Sequence, residues 1–118
     1  MKTEIDIRLA AVRALILRLA QEAQGVGEIE ESVKWGQASF ATARPKSGTP
    51  IRMGGSEEAG TYSLFVPCST SLISGFRETH PDMFDYQGNR EIRLGLDAPL
   101  PTAELSLFIT AALTYYLP

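Results

Sequence analysis

From Ile5 to Ala23 the apolar positions Ile5, Leu9, Val12, Ile16, Leu19 and Ala23 recur in steps of 4, 3, 4, 3 and 4, one stripe along a helix. Thr3 followed three residues on by Asp6 has the form of a capping box, and Gly25 and Gly27 end the element. Ile7 and Leu17 lie off the stripe, as ordinary exposed residues or as a self-association contact. EIEESVKW then reads as a short second helix, with Glu28, Glu30 and Glu31 in a first turn where the helix dipole favours anions, and Gly36 closes it. Beyond this point the period changes. QASFATAR, TPIRMGG and GTYSLFVP read as three short strands, separated by the turn-rich stretches ARPKSGTP and GGSEEAG. In the third, Tyr62, Leu64 and Val66 alternate with Ser63 and Phe65, which places Phe65 on the opposite face.

Ser69 or Thr70 is expected to cap the next helix, STSLISGFRETH, with Leu72, Ile73 and Phe76 on one side; Gly75 weakens it by about 1 kcal/mol. MFDYQGNREIRLGL has the form of a hairpin turning around Gln87-Gly88-Asn89, with Arg90, Ile92 and Leu94 alternating with Glu91 and Arg93. A last helix opens with Pro101 near its first position and Glu104 in its first turn. Leu105, Phe108, Ile109, Ala112, Leu113 and Tyr116, in steps of 3, 1, 3, 1 and 3, form its apolar face. Strands joined by short turns pair antiparallel. The expected fold is therefore α+β: a five-stranded, mainly antiparallel sheet with the N- and C-terminal helices packed on one face, in a single domain spanning residues 1–118.

Composition narrows the function classes. The chain is 44% hydrophobic, which excludes disorder, and its net charge of −3 argues against a nucleic-acid binder, because neutralising phosphates needs a basic excess. One cysteine, Cys68, and one histidine, His80, rule out disulfide-dependent folding and cysteine/histidine zinc sites. Glu4, Asp6, Arg8, Arg13 and Arg18 interrupt the N-terminal apolar run well short of a membrane span or a signal peptide, so a soluble, cytoplasmic protein is expected.

The motifs KWGQASF, PIRMG, SLFVPCSTSL, FRE, YQGNREIRL and LDAPLP…ALTYY, in that order between Gly27 and Tyr116, resemble the YdhG-like family of bacterial proteins, a domain of unknown function. The resemblance implies a compact α+β fold and a cytoplasmic location. Some relatives are described as frataxin-like iron chaperones for iron–sulfur cluster assembly, which makes iron handling the alternative function. Frataxin-type iron binding is associated with an acidic ridge on the first helix; here that helix sets Arg8, Arg13 and Arg18 against Glu4, Asp6 and Glu22. The carboxylates left for an iron site are Glu28, Glu30 and Glu31, with Glu57 and Glu58 in a loop.

Cys68 and His80 would form a catalytic pair only in contact, and Cys68 precedes the expected helix start, where its thiol could be activated. The plainer reading is a half-buried thiol at a strand end and a helix-terminal histidine before Pro81. GGSEEAG lacks the Lys-Ser/Thr terminus of a phosphate loop, and no GxSxG is present, so nothing favours an enzyme. A different set carries more chemistry. If Ile51, Met53, Tyr62, Leu64 and Val66 face the helices, Arg52, Ser63 and Phe65 face away, and Arg93 joins them because Ile92 and Leu94 take the core face. An aromatic ring among guanidiniums suits a small anionic ligand or a protein partner segment, with Trp35 as a wall. The alternative is an exposed sheet face whose arginine stems cover apolar surface and pair with Glu91. Arg77 and Arg90 have no assigned direction. The expected function is a non-enzymatic binding module with no cofactor, using Arg52, Phe65, Arg93 and Trp35.

Overall fold

The computed structural model describes residues 3–117. Its elements in chain order are α1 (Glu4–Glu22), β1 (Glu28–Lys34), β2 (Gln37–Ala43), β3 (Ile51–Ser56), β4 (Thr61–Phe65), α2 (Leu72–Thr79), β5 (Asp85–Gln87), β6 (Glu91–Gly95) and α3 (Thr102–Leu113). The six strands form one sheet in the order β1-β2-β3-β4-β6-β5, and every neighbouring pair is antiparallel. The fold is α+β, with six strands where the sequence predicts five. No helix among the described residues is long and apolar enough to cross a membrane.

The additional strand is EIEESVK, expected as a helix. It pairs with β2 without a break, from Glu28 opposite Ala43 to Lys34 opposite Gln37. Two apolar residues four apart make a poor helix face, whereas Ile29, Glu31 and Val33 share one side of a strand and Glu28, Glu30, Ser32 and Lys34 the other. The hairpin closes through Trp35 and Gly36, with φ of 50° and 77°, the signature of a type I′ turn whose twist matches the strands it joins. Pairing with β2 thus overrides the helical propensity of a glutamate-rich run.

α1 is capped as expected: the Asp6 N–H donates to the Thr3 hydroxyl and the Thr3 N–H to the Asp6 carboxylate, both at 3.1 Å. Ile5, Val12, Ile16 and Leu19 are buried, Leu9 and Ala23 partly so, and Leu15 widens the stripe; Ile7 is exposed. α2 begins later than expected. Ser71 occupies its N-cap without a side-chain cap bond, while the Thr70 hydroxyl donates to the Pro67 carbonyl instead. In α3, Leu105, Phe108, Ile109, Ala112 and Leu113 are buried. Pro101 is its N-cap, and Tyr116 lies beyond the helix and is exposed.

One core holds these elements together. Val12 and Ile16 of α1, Phe40, Ile51, Tyr62, Leu64 and Ile92 of the sheet, and Leu105, Phe108 and Ile109 of α3 are fully or almost fully buried within it. α1 crosses β3 and β4 and packs against α3, so both terminal helices cover the same face. α2 adds Leu72 and Ile73 to that core, and Phe76 and Phe84 set their rings edge-on to Phe108 at 5.3 and 5.9 Å. By strand parity the opposite face carries Ser39, Arg52, Phe65 and Glu91 in one row across β2, β3, β4 and β6.

Candidate functional site

Strand pairing alone assembles the site. Ser32 lies opposite Ser39, Ser39 opposite Arg52, Arg52 opposite Phe65, and Phe65 opposite Glu91. Antiparallel partners project to the same side, so five adjacent strands bring these side chains into one line on the open face. A second row sets Ser63 opposite Arg93. The expected direction of Arg52, Ser63, Phe65 and Arg93 follows from this register.

Trp35 reaches the site by another route. It is the chain's single tryptophan, 87% exposed at the tip of the β1–β2 turn, and its ring meets Arg52, whose guanidinium carbon lies 5.1 Å from the ring centroid. The sequence reading placed it at the end of a helix; the hairpin puts it at the mouth of the groove. A bulky residue at φ 50° carries a conformational cost of about 1 kcal/mol or more, and a ring this exposed recovers little of it by burial. Stacking on Arg52 offsets part of that cost.

Around Trp35 and Arg52 the surface falls into a cleft of about 870 Å³, bounded by Glu30, Ser32 and Lys34 on one side and Ala41, Pro50 and Pro67 on the other. A smaller depression continues past Arg52 to Gln37, Phe65, Arg90 and Glu91. A third runs from Phe65 to Ser63 and Arg93. Shared walls join the three into a groove across the sheet.

Charge is distributed unevenly along it. Arg93 Nε donates to Glu91 Oε2 at 3.2 Å, and the same oxygen accepts the Ser63 hydroxyl at 2.7 Å. Arg93, expected as a ligand-binding residue, therefore has its Nε engaged by Glu91 within the groove floor. Elsewhere Arg8 bonds the Tyr62 hydroxyl, Arg13 bonds Glu31, Arg18 pairs with Glu22, Arg44 bonds Glu28, and Arg77 bonds the Gly88 carbonyl. Arg52 and Arg90 remain: among the described residues neither guanidinium has a hydrogen-bond or ionic partner, and both residues line the same depression. Lys34 adds a third unpaired cation at the rim. Arg90 was not assigned from sequence, because a residue at a hairpin end has no fixed side.

The residues considered for iron do not converge. β1 alternates Glu28 and Glu30 to the open face and Glu31 to the helix side. Glu28 takes a hydrogen bond from Arg44 at 2.6 Å, and Glu31 is held bidentately by Arg13 at 2.7 and 2.9 Å. Hydrogen bonding from Arg13 holds the Glu31 carboxyl below the usual carboxylate range. Among the described residues no three His, Cys, Asp or Glu side chains cluster as a metal site. Glu57 and Glu58 lie in the β3–β4 turn, exposed. Cys68 is exposed four residues before α2 begins rather than at its N-cap. His80 ends α2, with Nδ1 2.8 Å from the Thr79 hydroxyl and its ring 5.5 Å from Phe76.

Because Trp35 bears the strain of a left-handed backbone, Trp35→Asn is expected to raise stability by about 0.5–1 kcal/mol, Asn-Gly being the favoured type I′ pair. Thermal unfolding checks this; a lower melting temperature would mean that Trp35 earns its place by packing.

No protein-family model, curated protein or solved structure matches the chain.

Proposed function

We propose that the protein is a non-enzymatic binding module, of the YdhG-like kind its motifs resemble, that holds a small anionic ligand or an acidic partner segment on the helix-free face of the sheet. The observation that carries this reading is the arginine distribution. Six described arginines are engaged by carboxylates, a hydroxyl or a carbonyl, and the two that are not share one depression beside Trp35 and Phe65. An unpartnered guanidinium presents two parallel N–H donors that match a carboxylate or phosphate. Trp35 stacks on Arg52 and limits its movement, so less freedom is lost when an anion binds. Phe65, directly across from Arg52, supplies an apolar surface for the body of the ligand.

The same chemistry accepts a free aromatic carboxylate, a nucleoside monophosphate or an acidic side chain on a partner segment. Titration with each of the three distinguishes them. Arg52→Ala is expected to weaken binding of the anion that titrates by about tenfold or more, the scale of a charge-assisted hydrogen bond, while leaving the fold intact. Arg93→Ala should weaken it much less, because Arg93 is already bound to Glu91. Equal losses in the two variants would contradict the assignment of Arg52 as the anion donor.

A further inference from the structure

β1 is an outermost strand of the sheet, seven residues long, exposed along almost its whole length and without proline. The other outermost strand, β5, has three residues, a short edge of the kind that discourages further pairing. Because the β1–β2 hairpin closes through a two-residue turn, Lys34 and Gln37 are its hydrogen-bonded pair next to the turn, and the pairs alternate from there. Ile29, Glu31 and Val33 therefore turn their backbone N–H and C=O groups to the free edge.

We propose that this edge is a docking site for a second copy of the chain, with β1 pairing antiparallel to β1 of the other copy about a two-fold axis through Glu31. The strand is self-complementary in that register. Glu28 meets Lys34 of the other copy on the open face at both ends of the ladder. On the helix side Ile29 meets Val33, which is 72% exposed in the single chain. Glu31 meets its own counterpart, but each carries a bidentate Arg13, so the centre holds two carboxylates and two guanidiniums and is neutral. Glu28 Oε2 is engaged by Arg44, while Oε1 has no hydrogen bond among the described residues and is left for the incoming lysine. Cross-strand apolar and opposite-charge pairs of this kind are what fix strand register.

The pairing has a consequence for the groove. Ser32, Lys34 and Trp35 form its outer wall, and the second copy would extend the sheet beyond that wall. Two grooves would then lie side by side on one continuous face. The proposal does not depend on which anion the groove takes.

Sedimentation of the full chain over a concentration series tests it. The wild type is expected to show a monomer–dimer equilibrium. Glu28→Lys and Lys34→Glu each set like charges together at both ends and should each weaken the dimer by about tenfold. An equimolar mixture of the two variants restores both complementary pairs, and heterodimers should form at wild-type strength. Circular dichroism of each variant should match the wild type. A wild type that stays monomeric throughout, a dimer indifferent to the single reversals, or a mixture that fails to associate would each overturn the proposal.

Discussion

Gly48→Ala is expected to lower stability by about 3 kcal/mol or more, which for a domain near this size is a fall in melting temperature of more than about 10 °C. Gly48 lies where the segment between β2 and β3 crosses the C-terminal end of α3. A Cβ placed there would collide with the backbone carbonyls of Ala112 and Leu113. Those carbonyls are already in use: Ala112 accepts the Thr49 N–H at 2.9 Å, and Leu113 accepts the Ser47 hydroxyl at 2.9 Å. The Ser47 hydroxyl in turn accepts the Gly27 N–H at 3.2 Å, so one network joins the start of β1, this segment and α3. Moving the segment away to admit a methyl group would strand buried donors and acceptors, each costing about 1–3 kcal/mol. Gly75→Ala provides the contrast. A Cβ there meets nothing within 4 Å, and the residue is inside a helix, so the change should stabilise by about 0.5–1 kcal/mol. Chemical denaturation of the two variants should give opposite signs; a mild Gly48→Ala would show that the segment is not pinned to α3.

Phe108→Ala is expected to cost about 3–5 kcal/mol, the range for emptying a buried aromatic site. Phe108 is fully buried, and the rings of Phe76 and Phe84 both meet its edge or face, so it fastens α2 and the segment leading to β5 onto α3. Phe65→Ala removes the same side chain from the open face, where the ring is partly exposed, and should cost far less. Urea unfolding of the two variants separates a phenylalanine that holds the fold from one that shapes the groove. Similar losses would place Phe65 in the core and remove it from the site.

Those two phenylalanines also mark what could be read in the sequence. Phe108 sits at helical spacing with Leu105, Ala112 and Leu113, and Phe65 stands out of phase with Tyr62 and Leu64 in a run of period two; local periodicity assigns both to their faces. Parity likewise put Arg52, Ser63 and Arg93 on one side, since one residue either way reverses a strand. β1 escaped because its partner is eight or more residues away for most of its length, and three glutamates resemble the start of a helix until the pairing is known. With β1 misread, Trp35 was placed at a helix end instead of in a turn: an aromatic at the first site of a type I′ turn carries no positive signal, because that turn ordinarily takes asparagine, aspartate or glycine there. The free state of Arg52 and Arg90 was not legible either. Which guanidiniums are consumed depends on contacts such as Arg13 with Glu31, 18 residues apart, and Arg8 with Tyr62, 54 apart.

The strain at Trp35 connects stability with the proposed function. A turn expected to be more stable as Asn-Gly keeps an exposed indole against an arginine with no ionic partner among the described residues. Stability given up at an exposed position is what the proposed binding site would require of Trp35.

Trp35 is also the protein's one tryptophan, so its emission reports on the groove without a label. The most direct measurement is a fluorescence titration of the wild type and Arg52→Ala with an aromatic carboxylate, a nucleoside monophosphate and an acidic peptide. The account predicts a saturable change in Trp35 emission with at least one of these anions, weakened about tenfold or more in Arg52→Ala. No saturable change with any of them, or equal affinity in the two proteins, would contradict an anion site built on Arg52.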